Sequence, residues 1–451
     1  MRILKTAGLV LLFSSPADAQ VVAQPSAGTY QWAIAAGYKA AFYCSGIFNA
    51  GRTPAQIDAD ELTGIYPEYD KIVPTLKAAV DHHTRNVAVS FDPQMPPRYA
   101  MWTNKRGCVT LPIGSTAPSA GRFASAPSIA AADPRHWPQG DAGIAPHPSP
   151  KLARTVGAAF GNAYGVGAKT AGVIVLKDGR VVAERYGSGF GPFVSNRTWS
   201  VGKSIAGTLI GLAGASPLDA PASVPQWKPG DPRRAITYDN LLRMASGLHS
   251  ETAGNRTDDI YFGGSTVDDQ VVSWQLEAQP GSRFRYANND ILLAVYATRQ
   301  AIGEEPYRSL PDSLFGPLGM SHTVAETDWH GNYILSSQVW STARDLARLG
   351  LFWPQDGVWA GKRLLPQGWM RIMTAPTGPQ PPSGPGYGAT MWLFGPEEGL
   401  PQGSFAAQGN RGQYVMVIPS ERLVVVRRGE DPSTARFDIA RFAADVSKAL
   451  K

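Results

Sequence analysis

Two hairpin patterns, one starting at Lys169 and one at Gly412, constrain this chain more than any other feature. In "KTAGVIVLKDGRVVAERYG" two β-branched runs flank Asp178-Gly179, the dipeptide that favours the tight turn of a hairpin. In "GQYVMVIPSERLVVVRRG" two further runs flank a Pro-Ser-Glu-Arg turn, and "RFDIARFAADVSKAL" follows with the apolar spacing of an amphipathic helix. Between the hairpins the sequence reads mainly as helix and loop. Strands at both ends of one region predict a single antiparallel sheet joined by both, flanked by helices and interrupted by a mostly helical insert over about 206–380. The class is α/β, and the groove between sheet and insert is the natural site.

The sheet region is expected over 151–451. Ahead of it, 20–150 reads as an N-terminal extension ending in an Ala/Ser/Pro/Gly-rich connector from about Leu111. Within the extension, "GYKAAFYCSGIFNAG" and "DADEL" suggest short helices, and "VAVSF" alternates like a strand. The first residues read as an export signal: Arg2 and Lys5, the apolar run Ala7–Phe13, and the small-x-small "ADA", with cleavage expected after Ala19. The apolar run is too short to span a bilayer, and no later segment suggests membrane insertion. A secreted or periplasmic protein is the expectation. The two cysteines, Cys44 and Cys108, would then form a structural disulfide, with separate burial as the alternative. A net charge of +6, spread along 451 residues without a Lys/Arg run, does not suggest a nucleic-acid partner. The seven histidines lack zinc-ligand spacing, so neither a metal nor an organic cofactor is expected.

The chemistry is expected at "RTWSVGKSIAGTLIG". Ser200 and Lys203 sit three residues apart on one face of a helix that starts at the serine. A serine hydroxyl needs a base to become a nucleophile, and a desolvated lysine can be that base. Gly202, Ala206, Gly207 and Gly211 would let neighbouring segments close around the pair. Ser-x-x-Lys alone is a common match, so two further stretches carry weight. "PGSRFRYANND" holds Tyr286 and Asn288 just ahead of an apolar helix; the tyrosine could relay a proton and the amide could orient the lysine or a substrate. The alternative there is a helix cap beside a core aromatic. "QGNRGQYVMVIP" runs a Gly-containing turn into a strand, whose backbone N–H groups could face a substrate carbonyl. Tyr261, in "DDIYFGG", is read as a loop aromatic near the pocket.

Ser-x-x-Lys, Tyr-x-Asn and a Gly-containing strand motif, in this order, resemble the serine hydrolases of the β-lactamase-like, penicillin-recognising superfamily. The look is nearest to the 6-aminohexanoate-dimer (nylon-oligomer) hydrolase type. "ITYDNLLRMASGL", "LFGPLGM", "STARDLARLG" and "GYGATMW" are similar to later landmarks of that family, and the resemblance covers about 165–450. It implies Ser200 as the acylated nucleophile, Lys203 as its base and Tyr286 as proton relay. It also implies Asn288, Asn410, Arg411, Gly412 and Tyr261 as supporting or substrate-binding groups, and the N–H groups of Ser200 and Gln413 as oxyanion donors. The substrate would be a small-molecule amide or ester. Asn410-Arg411-Gly412 departs from the Lys-Thr-Gly or His-x-Gly of relatives, which speaks against efficient β-lactam hydrolysis. The rival readings are a β-lactamase, a D,D-peptidase, and a non-catalytic binding or sensor protein on the same fold.

Overall fold

The computed structural model describes residues 27–104, 106–117, 131–214, 217–250 and 257–451. The export signal and its cleavage site, like part of the connector, lie outside the described residues. The two hairpins do meet. Leu423–Gly429 pairs antiparallel with Thr170–Lys177, and a seven-stranded antiparallel sheet grows outward from that seam. Its order is Gly386–Tyr387, Trp392–Phe394, Ser404–Gly409, Gln413–Ile418, Leu423–Gly429, Thr170–Lys177, Arg180–Tyr186. Asp178 (φ 52°) and Gly179 (φ 80°) both take the left-handed conformation that such a two-residue turn demands.

Strict alternation explains why the central strands can be apolar on both sides. Val173 and Val175 face one layer, with Met416, Val425, Phe442 and Val446. Ile174 and Leu176 face the other, with Val415, Val424, Ile205 and Leu346. The first layer is closed by helices Pro150–Ala158 and Ile439–Leu450, the second by helices Val201–Ala213 and Ala343–Phe352. The insert also contains strands: Val339–Ser341 and Val324–Ala325 form a small sheet with Asn196–Arg197 from just ahead of the insert, and Val358–Trp359 pairs with Lys362–Arg363.

The N-terminal extension corrects one expectation. "GYKAAFYCSGIFNAG" does not form short helices; it belongs to one helix, Ala27–Phe48, laid on a four-stranded meander over 77–110. Its glycines mark close packing, not breaks: a Cβ on Gly37 would collide with the carbonyl of Phe262. The disulfide Cys44–Cys108 ties this helix to strand Gly107–Thr110. Extension and sheet region share one hydrophobic core, in which Tyr38 and Phe42 pack with Trp199, Phe262 and Trp340. Among the described residues no helix is long and apolar enough to cross a membrane.

Candidate active site

Strand Asn196–Arg197 delivers the chain to Ser200 through Trp199, which is held at φ 50°. A buried tryptophan in the left-handed region is strained, and such strain persists only where the surroundings enforce it. Ser200 caps helix Val201–Ala213 and is only partly buried, whereas every helix residue from Val201 to Gly211 is buried. The small residues work as the sequence suggests: a Cβ on Gly202 would sit 2.7 Å from the Leu335 carbonyl, and one on Gly211 would enter the Trp369 ring.

Lys203 is 1% exposed. Its Nζ donates to Ser200 Oγ at 2.9 Å, to Asn288 Oδ1 at 2.5 Å and to the Ser336 carbonyl at 2.9 Å. Burial, and after it the positive charge of Arg197, lowers its pKa to about 7. An amine of that pKa is part neutral at neutral pH and can accept a proton. Tyr286 lies on the other side, its ring 5.0 Å from Nζ and its hydroxyl hydrogen-bonded to Ser200. Burial pushes the Tyr286 phenol well up, so it stays protonated. Tyr387 and Trp392, from the "GYGATMW" stretch, pack at 6.0 and 5.5 Å and hold its ring. Ser200, Lys203, Tyr286 and Asn288 are therefore one cluster, although 85 residues separate Lys203 from Asn288.

The third stretch falls elsewhere. The strand that approaches Ser200 is Ser404–Gly409: a Cβ on Gly409 would strike the Thr198 carbonyl and lie 3.1 Å from Ser200 N. Gln413 pairs with Gly409 from the next strand inward. It is fully buried, and its amide is engaged with Arg428 Nε at 2.7 Å and with the carbonyls of Arg411 and Gly429. The backbone brought up to Ser200 is thus that of Gly409, not Gln413. Arg411 corrects the expectation of a substrate-binding charge. Arg411 (φ 56°) and Gly412 (φ 75°) reverse the chain at the hairpin tip. The Arg411 guanidinium is thereby aimed at Glu430 and at the carbonyls of Asp60, Thr63 and Gly64 in the extension. Gly412 packs on Arg427 and Asp431. Asn410 is exposed and accepts from Arg411 N within the turn. Neither the Asn410 nor the Arg411 side chain bonds Ser200.

Tyr261 is not in an open loop. It lies in a single wide helical turn, Asp259–Gly263, is 4% exposed, and its hydroxyl bonds Ser336 Oγ at 2.5 Å. It supports the segment whose carbonyl holds Lys203. Sequence reasoning passed over Ser336, Ser337 and Arg197; only Arg197 carried a signal, as a charge three residues before Ser200 in an apolar stretch. Among the described residues no group of three His, Cys, Asp or Glu side chains is placed to hold a metal.

A serine at a helix N-terminus, bonded to a buried lysine and beside the end of an inner strand of an antiparallel sheet, defines the class of serine hydrolases built on the β-lactamase-like fold. The chain belongs to the Beta-lactamase family, whose model matches residues 162–446, more than half its length. It is similar to a 6-aminohexanoate-dimer hydrolase of Paenarthrobacter ureafaciens, 27% identical over 61% of this chain and 78% of that enzyme. Among solved structures it is similar in fold to a family VIII carboxylesterase, with a TM-score of 0.53 at 16% identity over 67% of this chain and 98% of that one. A penicillin-binding protein homologue from Caulobacter crescentus gives a TM-score of 0.52 at 17% identity over 68% and 99%.

Proposed function

We propose that this protein cleaves a small amide or ester through an acyl-enzyme on Ser200. The observation that carries the reading is the 2.9 Å contact between Lys203 Nζ and Ser200 Oγ, made by an amine whose pKa is lowered to about 7. Neutral Lys203 takes the Ser200 proton as Oγ attacks the carbonyl carbon. The negative charge that develops on the carbonyl oxygen meets the Ser200 N–H, which makes no backbone hydrogen bond among the described residues. A second donor would come from the end of strand Ser404–Gly409. Tyr286, kept protonated, passes its proton to the leaving amine or alcohol, and the proton that Lys203 took from Ser200 then restores the Tyr286 phenol. Water then hydrolyses the acyl group with the same pair as base.

The relative's activity on an amide supports the amide arm, and the carboxylesterase fold supports the ester arm. A β-lactamase or D,D-peptidase reading is less supported, because Arg411 is sequestered and Asn410 is neutral. The retained serine, lysine and tyrosine weigh against a non-catalytic sensor. Export through the Met1–Ala19 segment belongs to the same proposal.

The test is intact-mass spectrometry after a fluorophosphonate, p-nitrophenyl acetate or penicillin G, alongside Ser200→Ala. A fluorophosphonate adduct on Ser200, with ester turnover lowered by at least about 10³-fold in Ser200→Ala, is expected. Turnover unchanged in that variant removes Ser200 from the mechanism. A lasting penicilloyl adduct moves the reading to a penicillin-binding peptidase. In kcat/KM the acidic limb should have its midpoint near 7, with activity rising as Lys203 loses its proton.

A further inference from the structure

Arg197 is the buried cation nearest the site that the proposed chemistry does not use. It is 4% exposed, and among the described residues no carboxylate forms an ion pair with it. Its charge is instead enclosed by rings: Trp199 at 4.1 Å, Phe42 at 5.2 Å, Tyr261 at 5.3 Å and Phe262 at 5.5 Å. Desolvated contacts of this kind stabilise a cation without neutralising it. Two of its donors go to one residue, with Nη2 bonding Ser337 Oγ at 2.9 Å and Nε bonding the Ser337 carbonyl at 3.4 Å. The preceding residue, Ser336, supplies the carbonyl that holds Lys203 Nζ.

Resting on the Ser200–Lys203 reading, we infer that Arg197 is a positioning residue for that pair. It anchors the Ser336–Ser337 backbone that aims the lysine, and it sets an unneutralised positive charge behind the amine. An ion-paired arginine would do the first and not the second. The aromatic box explains why a charge can persist there, and Phe42, one wall of it, comes from the N-terminal extension. The extension therefore acts on the chemistry without touching substrate.

The groups facing Lys203 are Ser200 from the start of its own helix, Asn288 from the first residue of helix Asn288–Ile302, Tyr286 just ahead of that helix, the Ser336 carbonyl, and Arg197. Those acting on Arg197 are Tyr38, Tyr66, Tyr261 and, more weakly, the carboxylate Glu326. Arg197 is the only cation in either set. Without it, protonated Lys203 is easier to form, and the pH at which the base becomes neutral must rise.

The experiment is the pH dependence of p-nitrophenyl ester turnover, with fluorophosphonate labelling of Ser200 as a second readout. Arg197→Met should move the acidic limb upward by about one pH unit, a roughly tenfold loss at pH 6. Arg197→Lys, which keeps a charge in the box, should bring the limb back towards its original place. If Arg197→Met does not fold, Phe42→Leu removes one ring of the box and loosens the Arg197 guanidinium, and should shift the limb the same way by less. A folded Arg197→Met, or failing that a Phe42→Leu, whose limb stays put while overall rate or melting temperature falls overturns the inference and leaves Arg197 a structural residue. A limb that survives in Lys203→Ala belongs to another group, and then the functional reading fails together with the inference. A limb that vanishes in Lys203→Ala yet ignores Arg197 sinks only the inference.

Discussion

The extension meets the hydrolase region along two seams of opposite chemistry. One is aromatic. Tyr38, Phe42 and Tyr66 pack on Phe262, Trp199 and Trp340, with ring centroids 4.4–6.4 Å apart, beside the strained turn that presents Ser200. The other is ionic. Arg411 binds Glu430 and three carbonyls of the Asp60–Gly64 turn, while Arg52 pairs with Asp60 and Glu61. Both seams are buried, yet only the first reaches the Ser200–Lys203 pair. The difference teaches that attachment and tuning are separate tasks. A cation paired with carboxylates and carbonyls holds the extension in place, whereas a cation left to aromatic rings projects its field into the site.

Three changes would break or sharpen this comparison. Phe42→Ala should have the largest effect, lowering stability by about 4 kcal/mol through lost burial and a cavity, and moving the acidic limb of the rate profile as well. Chemical denaturation and the pH–rate profile read the two effects separately. Arg411→Ala leaves Glu430 buried without its ion-pair partner, with the Asn196 amide still donating to it. It should lower stability by about 3 kcal/mol and leave the limb where it is. If Arg411→Ala shifts the limb as Phe42→Ala does, the two seams are one.

The smallest effect is the pH dependence of the ionic seam. Burial first, then the negative charge of Glu430, raises the Glu61 carboxyl from its ordinary 4.5 to about 8. The folded state thus holds a proton that the unfolded chain releases between these values. Stability from this group is present below about 4.5 and declines as pH rises through about 8. Glu61→Gln, uncharged throughout, should flatten the fall in melting temperature between pH 5 and pH 8, an effect of about 1–2 kcal/mol after allowance for Glu61–Arg52 pairing. An unaltered slope would assign the pH dependence to Glu326 or Asp290, both raised to about 7 by burial.

Much of this is readable from residue order. The hairpins announce themselves through Asp178-Gly179 and the β-branched run Val173–Val175, because turn conformation and strand propensity are local properties. Ser200 and Lys203 are one helical turn apart, so their meeting needs nothing beyond the helix. The misreadings share a cause. "GYKAAFYCSGIFNAG" hides a single long helix, since a helix buried on most sides shows no polar face and its glycines resemble breaks. Asn410-Arg411-Gly412 sits at the sequence position of a substrate-facing triplet. Two left-handed residues turn its side chains away, and where Arg411 lands depends on carbonyls more than 340 residues earlier.

By itself, then, the sequence determined the strands and turns, the spacing of Ser200 and Lys203, the presence of Tyr286 and Asn288, and two cysteines suited to a bridge. Each follows from contacts within a few residues or from residue type. Only the tertiary structure decided that Gly409, not Gln413, closes on Ser200, that Arg411 serves the extension, and that Arg197 stands behind Lys203 in a box with one wall from the N-terminal helix. Those outcomes depend on which buried cation finds a carboxylate and which finds only aromatic rings. That is settled by how distant segments pack.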